Sequence, residues 1–406
     1  MDHPPLSSDT SFAGPRARPA TRPWPVAPSP WQTALVAAGA VLLALLVVLT
    51  GTAEGRTAVR TLFFLPAMFP GTPLLPLGLI SDRPRCEEIT LHYAGITAPA
   101  DLCAPPGGGP HGAVVLSLGV HPLDRHDPYL AQVTDALVRT DLVVLRPASP
   151  DLTAGLILPR EIDGLVAAFQ ALQARPEVDP KRVGLAGFSV GGALSTVAAA
   201  DPRIRDQVRL VYTFGAYFDA RDVLAAISDD RVPVDGGDEA WTPNPWSVHV
   251  FVEQIVHALP PGPEQDYLTA ALADPEAAGP PPFSLSPLGE MLYELAVEGQ
   301  PVDGARLLAA LPPAARVALD RLSPASVVDE VRAPVYVMHD LGDTLIPYTE
   351  SRRLVASLPP GVLQRYDEFH MFQHVTPRAP GALLGSLGDF VALYRHVDAL
   401  FLALAK

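Results

Sequence analysis

One serine in this sequence has the neighbours that a nucleophile requires, in the run Gly187-Phe188-Ser189-Val190-Gly191. A G-x-S-x-G run of this kind forms a sharp turn between a strand and a helix, with the serine hydroxyl exposed. The apolar run over 182–186 predicts the strand, and the small residues over 191–200 predict the helix. Gly187 and Gly191 leave room for the turn, where side chains would collide. We therefore predict that Ser189 is the nucleophile of an acyl-transfer reaction.

The acid that such a serine requires is predicted in the loop after a later strand. A serine hydroxyl is a weak nucleophile, so it needs a general base, which in turn needs an acidic residue to orient it. The stretch 334–339 predicts a strand, and Asp340 and Asp343 follow it. Asp340 lies so close to the strand end that we expect its side chain to bind the backbone. We therefore predict that Asp343 is the acid.

Two histidines follow the next predicted strand, which covers 362–369. His370 comes directly at the strand end, whereas His374 lies farther along the loop. A general base has to fold back over the nucleophile, and the longer reach favours His374. His370 remains the alternative base, and the histidine that is not the base is then a hydrogen-bonded loop residue.

The oxyanion of the tetrahedral intermediate requires backbone amides as hydrogen-bond donors. Val190 supplies one donor, at the positive N-terminal end of the predicted helix. We predict that Val120 supplies the other, from the loop after the strand predicted over 113–118. Polar side chains in the same loop form either a rim of the site or a metal cluster, and they are His121, Asp124, His126 and Asp127. Since no H-E-x-x-H motif or cysteine accompanies them, a polar rim is the preferred interpretation.

Alternating strands and helices must position these residues. The alternation begins near residue 85 with two antiparallel strands and closes with an amphipathic helix over 388–404. Most of the strands are continuous apolar runs, which are typical of a mostly parallel sheet covered by helices on both faces. The interval 217–332 interrupts this pattern, and we predict that it is a helical cap over the site. Its Trp241 and Trp246 indicate an apolar pocket for an acyl group.

The chain from about residue 85 to 405 resembles the α/β-hydrolase superfamily. The run DPKRVGLAGFSVGG around Ser189 is similar to the nucleophile turn of dienelactone-hydrolase-like and prolyl-oligopeptidase-like esterases and peptidases. The run APVYVMHDLGDTLIP resembles their acid loop, with Asp343 on the acid. The resemblance implies an eight-stranded sheet, a Ser–His–Asp triad, and a cap between the sixth and seventh strands. Two departures occur: Leu118-Gly119-Val120 replaces the usual His-Gly oxyanion motif, and the usual glycine before the catalytic histidine is missing.

The N-terminal part of the chain differs in composition from the rest. Residues 1–30 are rich in proline and predict a disordered leader. Residues 31–50 are apolar and uncharged, and twenty residues at about 1.5 Å each span a bilayer core of roughly 30 Å. We therefore predict a single uncleaved transmembrane helix, with a cleaved signal peptide as the alternative. More arginines precede this helix than follow it, which favours a catalytic domain outside the cytoplasm.

Residues 51–84 are predicted to form an apolar, proline-rich linker between this helix and the domain over 85–406. Prolines within it would break a second spanning helix. The apolar stretch 61–80 within the linker therefore either packs onto the globular domain or lies at the membrane interface.

The composition excludes several classes of protein. A net charge of −15 argues against nucleic acid or anionic lipid headgroups as partners, and a hydrophobic content of 48% excludes wholesale disorder. Cys86 and Cys103 are too few for a four-cysteine zinc site, and they are either bridged or free.

The sequence therefore predicts a membrane-anchored serine hydrolase that cleaves an ester, or an amide, with an apolar acyl part and without a cofactor. The alternative is an inactive binding or scaffold protein with the same fold.

Overall fold

The computed structural model describes residues 1, 38, 47–69, 72, 74–120, 125–377 and 387–406. The chain divides into two units, Met1–Val48 and Leu49–Lys406. The second unit contains the candidate site and all of the strands in the described part of the chain.

A sheet of eight strands forms the centre of the second unit. Its strands are β1 (Arg85–Tyr93), β2 (Ile96–Ala104), β3 (His111–Ser117), β4 (Leu142–Pro147), β5 (Val178–Phe188), β6 (Val211–Phe214), β7 (Val335–Asp340) and β8 (Leu363–Phe369). Their spatial order is β1-β2-β4-β3-β5-β6-β7-β8. Strand β2 is antiparallel to β1 and β4, and all other neighbours are parallel. The mostly parallel eight-stranded sheet predicted from the sequence is confirmed.

Some helices of the second unit cover both faces of the sheet, and others lie in the interval between β6 and β7. They are α1 (Ala53–Ala67), α2 (Leu75–Gly78), α3 (Pro128–Arg139), α4 (Pro150–Thr153), α5 (Arg160–Gln173), α6 (Val190–Ala200), α7 (Ala220–Asp229), α8 (Pro245–His257), α9 (Pro263–Ala273), α10 (Pro275–Ala278), α11 (Pro287–Ala296), α12 (Gly304–Ala310), α13 (Pro313–Leu322), α14 (Tyr348–Ser357) and α15 (Leu387–Ala405). Helices α1, α3 and α15 pack on one face, and α5 and α6 pack on the other. In β4, Val143 and Val144 point to opposite faces and both are fully buried, which explains why the strand is apolar at successive positions.

The interval 217–332 lies between β6 and β7 and contains helices α7 to α13. It also contains an antiparallel ribbon formed by Arg231–Val234 and Gly237–Ala240, a feature not predicted from the sequence. The signal for this ribbon is the dipeptide Asp235-Gly236 between its strands, a pair that is common in hairpin turns, and Gly236 adopts a positive φ of 96° there.

The segment predicted as a linker, 51–84, contains helix α1, which was likewise not predicted. Phe64 of α1 packs against Phe401 of α15 with ring centroids 5.1 Å apart, and Thr61 donates a hydrogen bond to Asp398. Pro66 is the only proline inside α1 and lies in its last turn, where it interrupts little of the helix. Of the two alternatives for this segment, packing onto the globular domain is the one observed.

The two cysteines form a disulfide between β1 and β2. Cys86 and Cys103 are cross-strand partners in the antiparallel pair, and their sulfur atoms are 2.05 Å apart. The alternative of two free thiols is therefore excluded.

The predicted transmembrane helix over 31–50 lies largely outside the described residues, which include only 38 and 47–50 of it. In the portion of the chain that is described, no helix combines the length and apolar character needed to cross a bilayer. The membrane anchor therefore stays a prediction.

Candidate active site

Ser189 lies in the sharp turn between β5 and α6. Its backbone φ is 55°, in the left-handed region that residues with a Cβ atom rarely adopt. The Ser189 amide donates to the carbonyl of Phe214 at the end of β6 (2.8 Å), and the Ser189 carbonyl accepts from the amide of Gly192 (2.9 Å). These two bonds hold the strained turn in place, and strain of this kind is common at functional sites.

Gly187 and Gly191 are required by close backbone contacts around the turn. A Cβ atom at residue 187 would lie 2.1 Å from the carbonyl oxygen of Gly191. A Cβ atom at residue 191 would lie 2.4 Å from the carbonyl oxygen of Ser117 at the end of β3. Any larger residue at either position would therefore force the turn away from the sheet.

Asp343 and His374 are joined by a hydrogen bond. The Nδ1 atom of His374 lies 2.6 Å from Oδ2 of Asp343, and both side chains are buried. A carboxylate only accepts hydrogen bonds, so Nδ1 carries the hydrogen and Nε2 keeps a free lone pair. Within the described part of the chain, this buried Nε2 has no hydrogen-bond partner. The imidazole is thus held in the tautomer that a general base needs.

The Asp343 carboxylate stays ionised despite its burial. Its Oδ1 atom accepts hydrogen bonds from the amides of Leu345 (2.8 Å) and Ile346 (3.1 Å). Burial acts to raise the pKa of Asp343, but electrostatic attraction to His374 and the hydrogen bonds from His339 and His374 outweigh it. The pKa of Asp343 is therefore well below its ordinary value, and the carboxylate is available to stabilise an imidazolium.

A second histidine, His339, contacts the same carboxylate and was not singled out from the sequence. It is fully buried in β7, with Nε2 3.2 Å from Oδ2 of Asp343 and 3.1 Å from the carbonyl oxygen of Ile346. Its Nδ1 atom lies 2.6 Å from the hydroxyl of Ser351. Because a carbonyl only accepts, Nε2 must be the donor, and Nδ1 accepts from Ser351. The signal that would have found it is a polar residue near the end of an otherwise apolar strand.

The rival acid and the rival base have other surroundings. The buried carboxylate of Asp340 accepts hydrogen bonds from the amides of Gly342 (2.9 Å) and Phe372 (2.7 Å), so it is bound to the backbone. His370 is exposed and is not among the residues that line the cavity at Ser189. The structure therefore brings His374 to that cavity, with Asp343 behind it.

Ser189 and His374 line one cavity, which has a volume of about 270 Å³. Its apolar wall consists of Leu116, Leu118, Val120, Leu130, Val133, Phe188, Trp246, Leu345 and Val375. The polar residues besides Ser189 and His374 are Tyr129, Thr134, Arg146 and Thr376. Between Ser189 and His374 themselves the structure records no hydrogen bond. Such bonds often tighten only when a substrate binds.

The candidate oxyanion donors, Val120 and Val190, lie in two adjacent segments, the loop after β3 and the start of α6. A Cβ atom at Gly119 would be 3.2 Å from the amide nitrogen of Val190. Val190 is the first residue of α6, so no carbonyl of the helix can accept from its amide. Val120 lines the cavity next to Ser189. Both amides are thus in the right part of the molecule to receive an oxyanion.

The polar loop after β3 is only partly described. His121 and Asp124 lie outside the described residues. Asp127 is the N-cap of α3, because its carboxylate accepts from the amides of Tyr129 and Leu130. Among the residues that the structure covers, no cluster of histidine, cysteine or acidic side chains could hold a metal ion.

The two tryptophans in the interval 217–332 have different surroundings, which corrects the expectation that both line the pocket. Trp246 lines the cavity of Ser189. Trp241 is buried elsewhere, and its indole nitrogen donates to the carbonyl oxygen of Asp343 (2.8 Å). Trp241 therefore supports the acid loop, and apart from Trp246 the apolar wall comes from α3, from β3 and β5, and from the loops that follow β3, β7 and β8.

Comparisons with known proteins give only distant likenesses. No protein-family model and no curated protein matches the sequence. The 2,6-dihydroxy-pseudo-oxynicotine hydrolase is 15% identical with a TM-score of 0.44, over 78% of this chain and 68% of that chain. The acylaminoacyl peptidase of Pyrococcus horikoshii is 13% identical with a TM-score of 0.44, over 79% of this chain and 40% of that chain. The esterase domain of a Rhodothermus marinus protein is 15% identical with a TM-score of 0.40, over 77% of this chain and 98% of that chain. Likeness at this level does not establish what this chain acts on.

Proposed function

We propose that this chain is a membrane-anchored serine hydrolase that cleaves an ester through an acyl-enzyme. The observation that carries the proposal is the 2.6 Å hydrogen bond from His374 Nδ1 to Asp343. It leaves Nε2 of His374 as a base on the cavity that Ser189 also lines. An amide would be cleaved by the same steps and is the second substrate class.

In the acylation half of the reaction, the Ser189 hydroxyl attacks the carbonyl carbon of the ester. His374 Nε2 takes the hydroxyl proton as the Oγ–C bond forms, and the carbonyl electron pair moves onto its oxygen. The amides of Val120 and Val190 stabilise this oxyanion, and Asp343 stabilises the imidazolium. His374 then gives the proton to the leaving oxygen while the C–O bond breaks. An alcohol departs, and Ser189 keeps the acyl group.

In the deacylation half, a water molecule takes the place of the alcohol. His374 Nε2 removes one proton from the water as its oxygen bonds to the acyl carbon. The Oγ–C bond then breaks, and Ser189 Oγ recovers the proton from His374. The products are a carboxylic acid and the alcohol, and the enzyme returns to its starting state without a cofactor.

An inactive scaffold protein is the alternative, and ester turnover distinguishes the two. Purified protein should release p-nitrophenol from p-nitrophenyl acetate with an acceleration of about 10⁶-fold or more over the uncatalysed reaction, as enzymes do. Absorbance of the released phenol measures this rate directly. Release no faster than that given by a Ser189→Ala protein would favour the scaffold function.

The membrane anchor is proposed from residues 31–50, which are apolar and uncharged. The Cys86–Cys103 disulfide adds support for a catalytic domain outside the cytoplasm, since disulfides persist mainly in oxidising compartments. The full chain should stay with membranes after a carbonate wash, and a protein lacking 1–55 should not. Protease added to intact cells should digest the catalytic domain. Release of the full chain by carbonate would contradict the anchor, and protection from protease would contradict the orientation.

A further inference from the structure

A second, smaller hollow lies beside the cavity of Ser189, between one face of the sheet and helices α1, α3 and α15. Its volume is about 80 Å³. The helices contribute Phe64 and Met68 from the α1 region, Leu137 from α3, and Val397, Leu400, Phe401 and Leu404 from α15. Of the described residues that line this hollow, none is charged. Such a surface suits hydrocarbon and no other part of a substrate.

The hollow and the cavity of Ser189 are neighbours because the same five side chains line both of them. They are Leu116, Tyr129, Val133, Phe188 and Val375. Tyr129 is the only one with a polar group, and its hydroxyl donates to the carbonyl oxygen of Met68 (2.8 Å). Burial raises the pKa of Tyr129 to about 12, so the phenol stays neutral. The cavity of Ser189 and the space between α1 and α15 therefore share a wall that is apolar apart from the Tyr129 hydroxyl.

We propose that the cavity of Ser189 and this hollow open into one apolar path that holds the acyl group of the substrate, and that this group is an unbranched hydrocarbon chain of medium length. The inference rests on the proposed hydrolase function and specifies its substrate class. A methylene group takes up about as much space as a water molecule, roughly 30 Å³ in the liquid. The 270 Å³ cavity then has room for a chain of about nine such groups, shared with part of the leaving group, and the hollow adds about two or three.

The order of the chemical steps indicates that the hydrocarbon chain belongs to the acyl side of the ester and not to the alcohol. The alcohol leaves while the acyl group is still bound to Ser189, so the alcohol needs a way out. A chain that ends between α1 and α15 has no such way out, because Phe64, Phe401 and Leu404 at that end are buried. The part that stays bound longer is therefore the part that occupies the hollow.

Arg146 supports a rival in which the acyl group carries a carboxylate, because this arginine also lines the cavity. Its Nη2 atom donates to Asp101 (2.9 Å) and to the carbonyl oxygen of Arg125 (2.7 Å), whereas its buried Nε and Nη1 atoms have no hydrogen-bond partner among the described residues. Asp101 partly neutralises the charge of the buried side chain. The hydrocarbon remains the proposal because nine apolar side chains line the same cavity and none of the described residues that line the hollow is charged, and the rival becomes an outcome of the test.

The test measures kcat/KM for p-nitrophenyl esters from acetate to decanoate, each below its micelle-forming concentration. Every methylene that enters the apolar path should raise kcat/KM by about fourfold, up to an optimum at hexanoate or longer. Equal or falling values from acetate to hexanoate would overturn the proposal, as would a succinyl half-ester that is cleaved faster than the hexanoate. Failure to cleave even the acetate would instead overturn the hydrolase function itself.

Two variants on α15 test whether the acyl chain of the substrate lies in the hollow. Leu400→Trp fills the hollow from a residue that lines it, whereas Leu402→Trp is the matched control on the same helix, outside both cavities. Leu400→Trp should shift the optimum to shorter esters by two or more methylenes. Leu402→Trp should keep the original profile. A thermal melt reports that each variant is folded, and an unchanged profile in a folded Leu400→Trp protein would place the acyl chain elsewhere.

Discussion

Replacing Ser189 with Ala is expected to lower kcat for ester hydrolysis by about 10⁶-fold, the size of effect seen when a triad serine is removed from a comparable enzyme. Without the hydroxyl oxygen, no covalent acyl-enzyme can form, and only the oxyanion donors and substrate binding remain. The fold should persist, because the Ser189 backbone bonds to Phe214 and Gly192 do not involve the side chain. Steady-state rates with p-nitrophenyl esters and a thermal melt measure the two effects.

Ser195→Ala is the matched control for this variant. Ser195 lies on α6 downstream of Ser189, is fully buried, and does not line the cavity. Its hydroxyl has no hydrogen-bond partner in the part of the chain that is described, so its removal leaves no other group unpaired. Activity should stay within about twofold of the unsubstituted protein. A Ser189→Ala protein that is folded and still turns over at a tenth of the original rate would contradict the role of Ser189.

The second large effect is expected from His374→Ala, compared with His370→Ala as its control. His374→Ala should lower kcat by about 10⁶-fold, since the serine would have no group to take its proton. His370 is exposed, and exposed substitutions of this kind usually change stability by less than about 0.5 kcal/mol. His370→Ala should therefore retain nearly full activity. A single-turnover experiment, in which the first release of p-nitrophenol is monitored, measures the acylation rate separately from the deacylation rate.

The reverse ranking of the two histidines would transfer the role of base to His370. Small effects from both substitutions would contradict a Ser–His–Asp mechanism altogether, because no other described histidine lines the cavity with Ser189.

The strand ends and the residues on them could be predicted from the sequence. Ser189 follows from the G-x-S-x-G run, and the stretches 334–339 and 362–369 predict the strands before Asp343 and His374, whose carboxyl ends meet at one edge of a parallel sheet. The choice of Asp343 over Asp340 could also be predicted, because a carboxylate directly at a strand end has backbone amides close by. What these residues share is a local signal, either a turn motif or the end of a predicted strand.

Features that depend on long-range packing could not be predicted in the same way. Trp241 and Trp246 have the same residue type and lie close together in the sequence, yet only Trp246 lines the cavity. His339 interrupts an apolar strand without any motif around it, and its role depends on the fold of Asp343 and Ser351 beside it. Helix α1 was not predicted because several prolines follow it in the sequence and because its packing on α15, which stabilises it, is not visible in the sequence.

The most direct test of the central claim is covalent labelling of the purified protein by a fluorophosphonate, with the labelled residue identified by peptide mass spectrometry. Such a reagent phosphonylates a serine only when an adjacent base activates it. We predict one adduct, on Ser189, with labelling abolished in Ser189→Ala and strongly slowed in His374→Ala. An absence of labelling in the folded, unsubstituted protein, or an adduct on a different residue, would contradict the assignment of Ser189, His374 and Asp343 as a catalytic triad.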